Sequence, residues 1–259
     1  MGSPPLIVFT DLDGTLLDHA TYSFAPARPA LDRLAALEIP LILASSKTSV
    51  EIAEIQKKVG CTACPAIVEN GAGILDPDPK ATADAGTYVS LLAAINETSP
   101  YLRALFEGFH DLGPHGIAQA TGLPPEEARL AGQRQFSEPG LFYGGPGELR
   151  EFLRALGKLD IQGRRGGRFL TLSFGGTKAD RMDEIAARYG NPPWLALGDA
   201  PNDVEMLEAA DHAVIVANPH GAPLQPLPGE AAGLIHRTTR PGPEGWNAAV
   251  IDLLTKLNL

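Results

Sequence analysis

Four short segments place reactive side chains where the chain changes direction. Asp11-Leu12-Asp13-Gly14-Thr15 directly follows the apolar run PLIVFT (5–10). Two carboxylates two residues apart at the end of a buried strand suit proton transfer or a hard cation, and Gly14 lets the chain turn away. Ala44-Ser45-Ser46-Lys47-Thr48 closes a second apolar run, PLILAS (40–45), so that hydroxyls meet the start of a helix. Free N–H groups at that end favour phosphate. Gly175-Gly176-Thr177-Lys178 puts a lysine in the first turn of a helix, against the positive end of its dipole, a position that a bound phosphate would justify. Gly198-Asp199-Ala200-Pro201-Asn202-Asp203 follows WLAL with two more acids and an amide, oxygen donors of the kind Mg2+ takes. Alone, each segment reads as a turn, a cap or a solvent-facing lysine. Four of them at strand or helix ends make that reading poor.

The elements that position them alternate. PLIVFT, PLILAS and AIVEN (66–70) read as buried strands, and residues 27–38 as a helix between the first two. Thr48 with Glu51 forms a capping box for a helix striped by Ile52, Ile55 and Val59, which Gly60 ends. The last third repeats the pattern. A helix runs over 178–189 with Thr177 as cap and Met182, Ile185, Ala186 and Tyr189 as its apolar face. Strands follow at 194–199, 212–218 and 233–238, and a helix near 244–257 aligns Trp246, Val250, Leu253, Leu254 and Leu257. Strands alternating with helices imply a doubly wound, mostly parallel sheet, a Rossmann-like α/β core. Its ligands gather beyond the carboxyl ends of the strands.

The middle breaks this rhythm. Residues 88–132 are mostly helical in pattern, QFSEP and LFYGG follow, a helix spans about 146–158, and IQGRR pairs with GRFLTLS around Gly166 and Gly167. We read this block as an inserted α+β domain over 84–172, with the core at 1–83 and 173–259. The Pro- and Gly-rich tract 219–230 reads as a surface loop.

The four segments, in this order and context, resemble the haloacid dehalogenase superfamily. The resemblance implies that Asp11 is the nucleophile and Asp13 the general acid and base. It makes Ser45 the hydroxyl on the transferring phosphoryl group, Lys178 the charge-stabilising lysine and Asp199 the acidic metal ligand. Asp203 matches the second acidic position of the last motif, and Ser46, Asn202 and Asp203 would support phosphate or metal from behind. Mg2+ is implied, held by Asp11, Asp199 and the backbone carbonyl of Asp13. Asp13 points to a phosphatase, because the dehalogenases lack an acid there, and the insert matches the large caps of sugar phosphatases.

Further segments resemble the mannosyl-3-phosphoglycerate phosphatases: Ser45-Ser46-Lys47-Thr48, Glu69-Asn70-Gly71, Arg134-Gln135-Phe136-Ser137-Glu138-Pro139 and Gly166-Gly167-Arg168-Phe169. Gln135 departs from that family's R-E-F-S-E-P. The resemblance implies hydrolysis of the mannosyl ester to a compatible solute, with the glucosyl ester as a second candidate. It puts Lys47, Glu69, Asn70, Gly71, Arg134, Phe136, Ser137 and Arg168 at the substrate. Arg134 and Arg168 offer planar forks for a glycerate carboxylate, and Glu69 and Asn70 could take sugar hydroxyls. Sucrose-, trehalose- or broad sugar-phosphate phosphatases, phosphomannomutase and a silent binding module are the competing readings. The last would be expected to lose Asp11, Asp13, Lys178 or Asp199, and all are present.

The bulk composition agrees. The 259 residues are 44% hydrophobic and carry 21 basic against 31 acidic side chains, a net charge of −10. An acidic chain is a poor coat for nucleic acid, and no apolar run approaches the ~18 residues of a membrane span. The N-terminal segment has no basic region, so a secretory signal is not expected. A cytoplasmic monomer or homodimer acting on a small phosphorylated molecule is expected. The 23 prolines fit a thermophile. Cys61 and Cys64 form a lone C-x-x-C, read as a reduced loop at a helix end with a disulfide as the alternative.

Overall fold

The computed structural model describes residues 3–78, 85–221 and 223–259. Its strands are β1 (Ile7–Thr10), β2 (Leu41–Leu43), β3 (Ala66–Val68), β4 (Gly73–Leu75), β5 (Phe106–Gly108), β6 (Ser137–Phe142), β7 (Gln162–Gly166), β8 (Phe169–Ser173), β9 (Trp194–Gly198), β10 (His212–Ala217) and β11 (Ile235–Pro241). Its α-helices are α1 (Arg28–Ala36), α2 (Ser49–Val59), α3 (Ala85–Asn96), α4 (Pro100–Arg103), α5 (Phe109–Thr121), α6 (Pro125–Ala131), α7 (Pro146–Gly157), α8 (Lys178–Arg188), α9 (Val204–Ala209), α10 (Pro228–Ala231) and α11 (Gly242–Lys256). The chain divides into two compact units, one of Met1–Ser45, Gln56–Ile67 and Thr177–Leu259, the other of Ser46–Ile55 and Val68–Gly176. This division assigns residues 46–55 and 68–78 to the second unit, before the boundary drawn at 84 from the sequence, which itself lies outside the described residues.

The first unit is built on a five-stranded sheet in the order β11-β10-β9-β1-β2. All four pairings are parallel. A bridge between Ala44 and Ile67 brings β3 against the end of β2. Every residue of β1, β2 and β3 is buried, as near-continuous apolar runs in a sheet covered on both faces must be. Trp246, Val250 and Leu254 of α11 are buried against it, whereas Leu257, expected on the same stripe, is 37% exposed. Trp246 donates its indole N–H to Thr10 Oγ1 at 3.0 Å, so burying the largest side chain of the core leaves no polar atom unsatisfied there.

Register is what positions the site. Thr10 pairs with Leu43 on one side and Leu197 on the other, so β1, β2 and β9 end at one level. The amide of Asp11 donates to the carbonyl of Leu197 at 2.9 Å, and that of Ala44 to the carbonyl of Thr10 at 2.8 Å.

The second unit carries an antiparallel sheet in the order β5-β6-β8-β7. Leu91, Ile95, Phe106, Phe152, Leu156, Leu170 and Leu172 form its main core. A smaller cluster joins Phe109, Ile117, Ala128 and Ala131. The β7–β8 pair and α7 fall where the sequence places them. The strand β5 does not: it lies in a stretch of helical pattern and forms because Phe106 pairs with Phe142, a partner distant in sequence. The tract 219–230, read as loop, runs into the short helix α10, which begins at Pro228. Among the described residues no helix is long and apolar enough to cross a membrane.

Candidate active site

Asp11 emerges from the end of β1, 7% exposed. Lys178, the first residue of α8, is 2% exposed and directs its ammonium to Asp11 Oδ1 at 2.8 Å and to Asp203 Oδ1 at 2.6 Å. The lysine that sits badly with its own helix dipole is therefore held by two carboxylates. Its helix starts where it does because Thr177 accepts from the amide of Asp180 at 3.0 Å while Asp180 accepts from the amide of Thr177 at 2.8 Å.

Asp203 is fully buried, and its Oδ2 accepts from the amides of Asp199 and Ala200, both at 3.1 Å. It closes the turn Pro201–Asp203 back onto β9. A methyl group on Gly198 would lie 2.5 Å from Asp203 Cβ, so only glycine lets the turn fold that tightly. Asp199 accepts from Thr15 Oγ1 at 2.6 Å and from Asn218 Nδ2 at 2.7 Å. Thr15 and Asn218 escape the sequence reading. Their signals were the last position of DGT and the polar residue ending HAVIVAN.

Oxygens of Asp11, Asp199 and Asp203 lie within 4.8 Å of one another, the one such acidic group among the described residues that could hold a metal. Asp13, expected to contribute its backbone carbonyl, is half-buried two residues after Asp11. Three carboxyl groups against one ammonium put hard oxygen donors in excess of local positive charge, which fits a divalent cation such as Mg2+. Burial first, then the charge of Asp203, holds the Asp11 carboxyl well above the usual carboxylate range, against the pull of Lys178. Burial also raises Asp199, against its hydrogen bonds from Thr15 and Asn218. Burial alone would lower Lys178, but Asp11 and Asp203 outweigh it and keep the ammonium charged.

Ser45 is buried just beyond the end of β2, its amide donating to the carbonyl of Ile67 at 3.0 Å. Asn202 is exposed on the Pro201–Asp203 turn. The remaining candidates lie in the second unit, and two of them have protein partners. Glu69, proposed for sugar hydroxyls, is 1% exposed and accepts from the amides of Gln135, Phe136 and Ser137 at 2.8, 3.2 and 2.7 Å and from Ser137 Oγ at 2.8 Å. Arg134, proposed for the substrate carboxylate, meets Glu69 Oε2 at 3.3 Å, Ser137 Oγ at 2.7 Å and the carbonyl of Ser46 at 3.2 Å. The carboxylate and the guanidinium thus also tie residues 134–137 to residues 46 and 69.

Ser137 is likewise buried. Phe136 lays its ring where a Cβ on Gly73 would stand, 2.3 Å from the nearest ring carbon. The carbonyl of Lys47 accepts from the amide of Glu69 at 3.0 Å. Asn70 and Gly71 hold left-handed backbone at φ 58° and 92°. Arg168 is exposed at the β7–β8 turn, donates to the carbonyl of Ala120 at 2.7 Å and lies 5.8 Å from the centre of the Phe169 ring.

Solved structures share this fold. The sucrose-phosphatase from Synechocystis sp. PCC6803, determined with sucrose and phosphate, is 15% identical, aligns over 100% of this chain and 99% of its own, and gives a TM-score of 0.62. The subclass IIB sugar phosphatase BT4131 is 18% identical over 97% of this chain and 98% of its own, at 0.61. A hypothetical protein from Geobacillus kaustophilus HTA426 is 18% identical over 97% and 98%, at 0.66. At such identities the likeness bears on the fold alone. The sequence itself matches the model of the haloacid dehalogenase-like hydrolases over residues 8–92 and 152–222, more than half its length and spanning the segments that carry Asp11, Ser45, Lys178 and Asp199. The chain belongs to the haloacid dehalogenase-like hydrolase family.

Proposed function

We propose that this hydrolase is a Mg2+-dependent phosphomonoesterase that uses Asp11 as its nucleophile and takes mannosyl-3-phosphoglycerate, releasing mannosylglycerate and phosphate. The observation that carries the phosphatase reading is the buried Lys178 ammonium bonded to both Asp11 and Asp203, with Asp199 beside them. Asp11, Asp199 and the backbone carbonyl of Asp13 would hold Mg2+, which would supply the positive charge that lets a carboxylate approach a phosphomonoester dianion.

The chain's own groups do the rest. Lys178 fixes the Asp11 carboxylate and, with Ser45, stabilises charge on the phosphoryl oxygens. Asp11 bonds to phosphorus in line as the phosphorus–ester oxygen bond breaks, leaving an aspartyl phosphate. Asp13 gives its proton to the departing oxygen. It then takes a proton from the water that attacks phosphorus, which frees Asp11 and inorganic phosphate.

The substrate rests on the resemblance of residues 45–48, 69–71, 134–139 and 166–169 to the mannosyl-3-phosphoglycerate phosphatases. Arg168, an exposed guanidinium, and Arg134 are the candidates for the glycerate carboxylate. Because structures of like fold are named as sucrose- and sugar phosphatases, sucrose phosphate and hexose phosphates belong in the comparison.

Phosphate release is measured on mannosyl- and glucosyl-3-phosphoglycerate and on those sugar phosphates, with Mg2+ and with EDTA, for the natural chain and for Asp11→Asn. We expect the mannosyl ester to give the highest kcat/KM, EDTA to abolish release, and Asp11→Asn to lose at least about four orders of magnitude, since the covalent intermediate forms on that carboxylate. Comparable turnover by Asp11→Asn would reject the nucleophile. A preference for sucrose phosphate would reject the substrate and keep the chemistry.

A further inference from the structure

Each oxygen of Asp199 is held by a different donor, and both come from elsewhere in the chain. Thr15 lies 184 positions away and Asn218 lies 19. Strand register explains the second. Ile215 of β10 pairs with Gly198 of β9, so the chain leaving β10 delivers Asn218 to the rim of the sheet beside Asp199.

The amide is oriented before any ligand arrives. Asn218 Oδ1 accepts from the amide of His220 at 2.9 Å, which leaves Nδ2 to face Asp199 Oδ2 at 2.7 Å. The ring of His220 stacks on that of His19 with centres 4.6 Å apart and planes 11° from parallel, fastening the chain after β10 to the chain after β1. Two glycines make the slot. A methyl on Gly14, where φ is +87°, would stand 2.6 Å from Asn218 Nδ2, and one on Gly221 would stand 3.2 Å from it. An oxygen that accepts from a fixed donor keeps its other lone pair in a fixed direction. Thr15 and Asn218 together therefore set where both oxygens of Asp199 can bind a cation.

We propose that Asn218 is a positioning residue for the cation site: it holds the Asp199 carboxylate in the orientation that a divalent cation requires and does not itself touch substrate. This rests on the reading of Asp199 as a metal ligand. Support for a ligating group from behind is worth about ten- to a hundredfold in metal affinity.

Mn2+ serves as the probe. Its free concentration is followed by electron paramagnetic resonance as it is titrated into the full-length natural chain, Asn218→Ala and Asn218→Leu, with the metal-free unfolding midpoint of each measured alongside. Leucine nearly preserves the shape of asparagine but donates no hydrogen bond, so it keeps the slot filled should alanine fail to fold. Both variants are expected to bind Mn2+ about ten- to a hundredfold more weakly. Their phosphatase activity should recover toward the natural level at saturating Mg2+, with the substrate KM unchanged. Natural Mn2+ affinity in Asn218→Leu would show that the residue only fills space and would overturn the proposal. A natural chain that binds no Mn2+ would overturn the metal reading of Asp199 and this role with it, whereas binding by the natural chain that both variants match removes Asn218 alone.

Discussion

Lys178 shows how one residue can carry the electrostatics of a site. It is a buried cation between two buried anions, and its worth lies in what its removal would leave behind. Replacing a buried ion pair with apolar groups can be neutral, but deleting one partner strands the other's charge away from water. Lys178→Met should therefore destabilise the first unit by about 3–5 kcal/mol, read by urea unfolding, and should also reduce phosphate release below detection. A variant as stable as the natural chain would deny that the ammonium balances Asp11 and Asp203. Clustered acids alone do not say which carboxylate is which. Asp203, placed by the sequence behind the phosphate or metal, receives two backbone amides and the lysine, so it braces the loop as well as joining the acidic group.

The same loop displays the logic of elements. β9 ends at Gly198, the chain turns through Pro201–Asp203, and α9 begins at Val204. The turn closes because Asp203 packs onto a residue with no side chain. In Gly198→Ala the added methyl would meet Asp203 Cβ at 2.5 Å, well inside contact distance. Overpacking of this kind costs about 1–3 kcal/mol. We expect Gly198→Ala to unfold at lower urea concentration and to lose activity out of proportion to that loss, because relief of the clash moves Asp203 and Lys178 together. Activity that tracks stability alone would argue against the coupling. Helix starts are local in the same sense. The capping box at Thr48 and the cap at Thr177 form where the sequence places them, the latter also as a box with Asp180, since a cap is decided within four residues.

At the scale of the molecule, the response to pH carries a signature of the second unit. Glu138 is 1% exposed and accepts from Tyr88 Oη at 2.6 Å and from the amide of His110 at 2.8 Å. Burial pushes its carboxyl above the ordinary 4.5, and those hydrogen bonds together with Arg134 only partly pull it back. The folded state thus binds the proton more tightly than the unfolded chain. The stability this provides is complete below pH 4.5 and is lost as pH rises through the raised value. In Glu138→Gln the decline should vanish, so the thermal midpoint of the natural chain should fall relative to that of the variant as pH rises from 4.5 toward neutrality. Parallel profiles would mean that the carboxyl is ordinary.

The sequence alone determined the parallel α/β core and the family, because those rest on local facts: apolar runs of strand length, caps, and acids set immediately after strands. It also marked Asp11, Lys178, Asp199 and Asp203, whose charges make sense only near a ligand or one another. What it could not decide were the partners. The resemblance put Glu69 and Arg134 at the substrate, but that Arg134, 65 positions further along the chain, also meets the Glu69 carboxylate was legible only in the structure. Strand β5 was hidden for the same reason, since its pairing partner comes from β6. Asn218 was an ordinary asparagine at a strand end until the register of β10 against β9 laid it beside Asp199. Burial and hydrogen bonding belong to pairs of residues, and tertiary structure alone chooses the second member of the pair.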